Sequence, residues 1–383
     1  MSRGVMAPRE RLLATIRGGM ADRVPLELPG FRFATAEDIG LHADPLRREI
    51  AGRILEECTY RVRVPSHISR YLVTPSQRIR HSVRMLQNGN TRTESSIDTP
   101  RGELTSVTEH DSRAQTTWTL KYPVETLDDI AKLAAVPWEM PEHLAPPSEL
   151  SQVMQELGTA RFRRRGICET RISSPIVCVA GMMSYEMFLE LALTERELIV
   201  ELTEICRQRI VDVLEVLLPE PCDALEYIWL GGSEWVTPPM ASPALYDTYV
   251  QEQEKSIISY IHNRSDAIVH VHCHGHVRHA LARCIERGAD YTEPVEPPPD
   301  GDITMAEAKQ LAGGKITVGG NIECRILCNE GPDEVERAVR AAFEGGTFRF
   351  VLQTTEGPTP HMSQREYRNY TRVVELWQQL APA

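Results

Sequence analysis

The sequence predicts an α/β protein: a (β/α)8 barrel that occupies residues 1–383 as one domain, with an antiparallel hairpin inserted at about 91–122. Strand-length apolar runs alternate with amphipathic helices through the second half. Strands joined by helical crossovers run parallel, because each helix returns the chain to the same end of the sheet. The length of 383 residues suits one large barrel better than two domains. With 42% hydrophobic and 25% charged residues, the composition has neither a disordered nor a fibrous bias.

Arg23 to Leu28 is expected as the first strand, and Ile167 to Pro175 and Cys222 to Leu230 as later ones, with long helical segments between Tyr185 and Leu218. From Thr91 to Tyr122 the pattern alternates with period two and breaks at Pro100-Arg101-Gly102, which marks the hairpin. Ser242 as N-cap and Pro243 in the first turn open a helix that runs to His262. Ala267 to His274 is a strand, followed by a helix from about His276 to Arg287 that Gly288 closes. Ala289 to Glu296 is the next strand, Thr304 to Leu311 a short helix and Lys315 to Asn321 a further strand. Pro332 and Asp333 then open a helix in which Val335, Val339 and Phe343 recur every four residues until Gly345-Gly346, and Phe348 to Thr354 is the last strand.

Charge narrows the partners. Forty-two Lys and Arg against 54 Asp and Glu leave −12, which repels nucleic acid and anionic lipid. The basic cluster Arg161, Arg163, Arg164, Arg165 is read as a solvated helix end, its stems lying over apolar surface. Apolar runs fall short of the roughly 20 residues that span a bilayer, and the N-terminus has no signal-peptide pattern, so a cytoplasmic location is expected. Nine cysteines without a CxxC pair are expected to be reduced and mostly buried.

Six of the 12 histidines lie between His262 and His279. On a strand, His270, His272 and His274 share one face, while Val269, Val271 and Cys273 take the other. If the histidine face is the barrel interior, His272 and His274 stand at the carboxyl end of a strand, where barrel enzymes gather their catalytic groups. Two imidazoles so spaced suit zinc or another divalent metal. Substrate hydrogen bonding and a structural cluster are the alternatives. Glu234, in Gly231-Gly232-Ser233-Glu234, and Glu356, before Gly357-Pro358, are candidates to complete the metal site. Glu293 and Glu296 end the next strand and would orient a histidine or hold substrate. Glu226, Tyr185 and Asn321 are further candidates for substrate contact, with helix packing the alternative for Tyr185 and a turn for Asn321.

An ordered set of motifs resembles the uroporphyrinogen decarboxylase superfamily nearly end to end. It comprises Pro8-Arg9-Glu10-Arg11-Leu12-Leu13 with Asp22-Arg23-Val24-Pro25, His272-Cys273-His274-Gly275, Gly288-Ala289-Asp290, Glu296-Pro297-Pro298 with Gly301-Asp302, Gly320-Asn321-Ile322 and Glu334-Val335. The resemblance implies a (β/α)8 barrel. True decarboxylases bind substrate carboxylates through an arginine-rich N-terminal motif and hold the pyrrole nitrogens with an early aspartate. Here Pro29 to Asp44 offers only Arg32, Tyr60 to Ser66 has no Asp, and Glu356 replaces the late His, although Tyr185 matches the family's tyrosine.

The chain is more similar to the corrinoid-dependent methyltransferase branch, in which zinc is held by a His-x-Cys pair and a later Cys. His272 matches that His, His274 stands where the first Cys would be, and Glu356 falls near the second. Nitrogen and oxygen ligands in place of thiolates leave a more Lewis-acidic ion, suited to polarising a donor oxygen. The expectation is a zinc-dependent methyltransferase with Glu356 and Tyr185 in catalytic roles, moving a methyl group between a small O-methyl substrate and cobalamin on a separate corrinoid protein. A decarboxylase or lyase of a small carboxylic acid and a noncatalytic ligand-binding protein are the alternatives. Glu226, Glu293 and Glu296 imply a neutral or cationic donor, and the hairpin is expected either to cover the mouth or to pack in a homodimer.

Overall fold

The computed structural model describes residues 5–64, 71–72, 78–140, 143–145, 147–218 and 225–381. Among them the strands are β1 (Leu26–Glu27), β2 (Tyr60–Arg63), β3 (Ile79–Met85), β4 (Thr91–Thr99), β5 (Gly102–Asp111), β6 (Thr116–Lys121), β7 (Gly166–Ser173), β8 (Tyr227–Gly231), β9 (Ile268–His272), β10 (Tyr291–Glu293), β11 (Thr317–Ile322) and β12 (Phe350–Thr354).

Eight of these form one parallel sheet in the order β1-β12-β11-β10-β9-β8-β7-β2, which is chain order taken around a circle. β1 and β2, the two ends of the ladder, share no backbone pairing. Instead Glu27 of β1 accepts hydrogen bonds from the Thr59 amide and hydroxyl and pairs with Arg61 of β2 at 3.1 Å. The curled sheet thus has a seam spanned by side chains. The start of the expected strand at Cys222 lies outside the described residues.

Helices cover the outside. The one expected from Pro332 runs Pro332–Phe343 with Val335, Val339 and Ala342 buried, and the one near Thr304 runs Met305–Ala312 behind a capping box of Thr304 and Glu307. The C-terminal helix, Gln364–Leu380, docks on the start of β1: Trp377 donates its indole N–H to Val24 O at 2.8 Å, and Val24 N–H donates to Ala381 O at 3.0 Å. The first helix, α1 (Pro8–Ile16), closes the amino-terminal end of the sheet. Its Leu12, Leu13 and Ile16 form a separate buried cluster with Ile167, Tyr227, Ile268, Tyr291 and Val351, one inward residue from each of five strands. Each large side chain so buried contributes roughly 1.5–3 kcal/mol. No helix among the described residues is long and apolar enough to cross a membrane.

The expected hairpin is a larger element, a four-stranded antiparallel sheet β3-β4-β5-β6. Pro100-Arg101 does form the β4–β5 turn, with Thr99 opposite Gly102. β3 gives no alternating signal because only Ile79 is even partly covered and Arg80 to Met85 are exposed on both faces. The inner end of the sheet buries Ile97 and Leu104, and β5 packs on the helix Leu127–Ala134. Of the arginine cluster, Arg165 departs from the expected solvated end. It is 3% exposed and caps the carbonyls of Phe33, Ala34 and Cys58.

Candidate active site at the strand ends

Alternation along β9 turns Val269, Val271 and Cys273 outward into the helical layer, where Cys273 meets the Thr237 hydroxyl at 3.2 Å. Ile268, His270 and His272 face inward. The neighbouring strand supplies a carboxylate at the same level, since Glu293 of β10 is in register with His272. One oxygen of Glu293 lies 2.8 Å from Nδ1 of His272 and 2.8 Å from Nε2 of His270. Its other oxygen accepts from the Gln353 amide, whose carbonyl in turn accepts from the Tyr291 hydroxyl at 2.9 Å. Burial opposes ionisation, yet His272 and His270 outweigh it and hold the Glu293 carboxyl well below the usual range. For His270 burial dominates and lowers the ring's proton affinity.

His274 lies just past the strand and has its own carboxylate. Glu296 Oε1 is 2.9 Å from its Nδ1, while Oε2 accepts from Gly275 N–H at 2.7 Å. Burial disfavours the charged ring, but the hydrogen bond to Glu296, aided by Glu293 and Glu234, raises its proton affinity overall. The rings of His272 and His274 meet edge to face with centroids 4.8 Å apart. Both use Nδ1 on a carboxylate, which leaves Nε2 of each as the nitrogen that can serve chemistry. A carboxylate behind the imidazole is also how a ligating histidine is oriented. The donor chemistry therefore suits a divalent metal. Among the described residues, however, no group of three or more His, Cys, Asp and Glu side chains is arranged to hold an ion.

The proposed third ligands lie apart from one another. Glu234 follows β8 in a short 3-10 turn, accepts from Gly232 N–H at 3.0 Å and is close enough to raise the proton affinity of His274. Gly232 permits that turn because its φ is +110° and a Cβ there would lie 2.3 Å from Val177. Glu356 is exposed, and its charge acts on Cys324 and Cys328. Asn321 is 6% exposed and sits beside Gln353 at the inner end of β11.

Tyr185 opens the helix Tyr185–Thr194 and gives its hydroxyl to Met240 O at 2.7 Å, with Trp235 O at 3.1 Å. It fastens the loop that carries Glu234. Glu226 lies at the opposite end of the sheet. It precedes β8 and pairs with Arg9 of α1, because the residue before a strand stands at its amino-terminal edge.

Sequence reasoning missed a second polar group. Arg61 and Arg63 of β2, Arg171 of β7 and Arg32 after β1 surround two buried carboxylates, Glu27 and Glu169. Burial opposes ionisation of Glu169, but Arg61, then Arg171, Arg32 and Arg63, hold its carboxyl down. Charged residues on inward strand positions gave no apolar signal, so β2 was invisible; the alternating charges of Arg61-Val62-Arg63 were the available clue. Trp229 of β8 joins the two groups, with the Arg171 guanidinium 4.9 Å from its ring and the His272 ring 5.1 Å away. Because Glu293 and Glu296 are each paired with histidine and Glu226 is remote, the expectation of a mouth hostile to anions does not hold.

Glu323, at the end of β11, was also missed. Burial first, then its hydrogen bond with Asp300, pushes its carboxyl up to about 7.

A family model described as Uroporphyrinogen decarboxylase (URO-D) matches residues 116–377. No curated protein matches the sequence. Among solved structures, the chain is similar to a methyltransferase from Methanosarcina mazei, with TM-score 0.58 and 15% identity over 97% of this chain and 99% of that one. A B12-independent methionine synthase from Shewanella sp. W3-18-1 is similar at TM-score 0.40 and 10% identity, over 79% of this chain and 77% of that one.

Proposed function

The chain belongs to the uroporphyrinogen decarboxylase family, and on that premise we propose that it is a methyltransferase, moving a methyl group from a small O-methyl substrate to cobalamin carried by a separate corrinoid protein. The observation that carries the reading is the pair His272 and His274, each backed by a carboxylate at Nδ1 and each with Nε2 left over. Porphyrinogen decarboxylation fits less well, since an exposed Glu356 stands where the late family His would be. The likeness in fold to the M. mazei methyltransferase agrees with the proposal. In this reading the curled sheet is the family's (β/α)8 barrel, closed at β1 and β2 by Glu27.

When a methyl group leaves oxygen for cobalt, the bond pair stays on the oxygen, which needs a positive partner. A divalent metal, zinc by ligand type, held by His272 and His274 with Glu234 as the protein's third ligand, would supply Lewis acidity there. The chain's own residues set the stage. Glu293 and Glu296 fix the ring orientations, Gln353 and Tyr291 hold Glu293, and Tyr185 positions the loop of Glu234. Asn321 offers a directional hydrogen bond at the inner end of β11.

The arginine group favours one second reading, a decarboxylase or lyase of a small carboxylic acid. Incubating the protein with O-methyl compounds and cob(I)alamin, while following the corrinoid spectrum and carbon dioxide release, separates the two. Methylcobalamin formation supports transfer. Its absence across the panel, together with carbon dioxide released from an acid, overturns it.

A further inference from the structure

Resting on the methyl-transfer reading, we propose that the donor is a small methylated carboxylic acid, its carboxylate held by Arg63 and Arg171 and its methyl-bearing end at His272 and His274.

Charge is the first reason. Four guanidinium groups, Arg32, Arg61, Arg63 and Arg171, stand over two carboxylates, so two positive charges are left over. No Asp or Glu occurs in the sequence from Arg61 to Thr93, so the segment after β2 brings no acid of its own. The excess is distributed unequally. Arg61 is 10% exposed and committed to Glu27 at 3.1 Å and Glu169 at 3.2 Å, whereas Arg63 and Arg171 are 55% and 42% exposed. The last two share Glu169 Oε1, at 3.5 and 3.2 Å, and keep guanidinium N–H groups for another acceptor. A planar guanidinium pair suits a carboxylate, which it can grip with parallel hydrogen bonds.

Position is the second reason. Arg171, on the β7 side, and His272, on the β9 side, both lie against one half-buried ring, Trp229. The Arg171 guanidinium carbon is 4.9 Å and the His272 centroid 5.1 Å from that ring, so the two groups are at most about 10 Å apart. That is the reach of a small acid lying along the indole. Gly231, the next inward residue of β8, lets the indole lie over the strand, since a Cβ there would fall 2.3 Å from the Trp229 ring.

The test measures binding and transfer separately. Titration calorimetry compares methoxyacetate and 4-methoxybenzoate with their neutral amides, on wild-type protein and on an Arg63→Gln, Arg171→Gln double variant. Both positions are exposed enough to be replaced without unpairing Arg61, and circular dichroism checks the fold. The expected result is at least tenfold tighter binding of one acid than of its amide to wild type, with the preference lost and amide affinity unchanged in the variant. Equal affinity for acids and amides in wild type, or a preference that survives in the variant, overturns the proposal. Methylcobalamin formed from amides as readily as from acids also overturns it while sparing the transfer reading. Acid binding with no methylcobalamin overturns transfer and leaves the subsite standing.

Discussion

Glu293 Oε1 lies 2.8 Å from His272 Nδ1, so an ionised Glu293 takes its hydrogen bond from that nitrogen and leaves Nε2 as the ring's other nitrogen. The pair comes from adjacent strands in register, one residue on β9 and its partner on β10. Replacing Glu293 with Gln keeps the shape and removes the charge. We expect turnover to fall about 10- to 100-fold, the usual cost of losing the partner behind a working histidine. Initial rates of methylcobalamin formation check this, with circular dichroism to establish that the fold is kept.

Purified protein is expected to carry up to one divalent ion per chain, lost in a His272→Ala, His274→Ala variant. Elemental analysis of both proteins decides it. Equal metal content would show that the two Nε2 atoms are not ligands.

Glu226→Gln should leave turnover within about twofold of wild type, because the residue pairs with Arg9 at the far end of the sheet. The pair is mostly buried, its side chains 27% and 15% exposed, so any effect belongs in the denaturation midpoint. A collapse of turnover with unchanged stability would place Glu226 in the site after all.

Gly319→Ala should destabilise the protein by about 1–3 kcal/mol, the common cost of overpacking. A Cβ at this inward position of β11 would lie 2.1 Å from the Tyr291 hydroxyl. Moving that ring disturbs the bond it gives to Gln353, and through Gln353 the seat of Glu293. Urea denaturation measures the loss, and a parallel fall in turnover would trace the chain of contacts.

Glu323 sets a pH dependence. Its carboxyl is raised from 4.5 to about 7, so the folded state holds the proton more tightly than the unfolded state does. This contribution to stability is complete below about pH 4.5 and is lost as pH rises through about 7. Denaturation midpoints of wild type and Glu323→Gln between about pH 5 and pH 8 are expected to diverge, the variant losing less on the alkaline side. Parallel slopes would remove Glu323 as the cause.

The legible parts of this molecule are those where one face of an element is apolar. β9 declared itself through His270, His272 and His274 alternating with Val269, Val271 and Cys273, and the helix Pro332–Phe343 through Val335 and Val339. β2 and the arginine group did not, because a strand whose inward residues are Arg61 and Arg63 has no hydrophobic period. Register was equally hidden. Nothing local says that Glu293 falls beside His272, or that Glu356 is exposed while Glu234 acts on His274. Glu226 was misplaced for a simpler reason, its position one residue before the strand instead of one after it.

The seat of α1 has a consequence for how the protein is made. Leu12, Leu13 and Ile16 are made long before the last of their partners, Val351, and Val24 waits for Trp377 and Ala381. Contacts of such sequence separation form late and slowly. Until β12 is made, Leu12, Leu13 and Ile16 lack part of their socket and β1 lacks its backbone partner, so a chain cut short before β12 would leave the α1 plug incompletely seated.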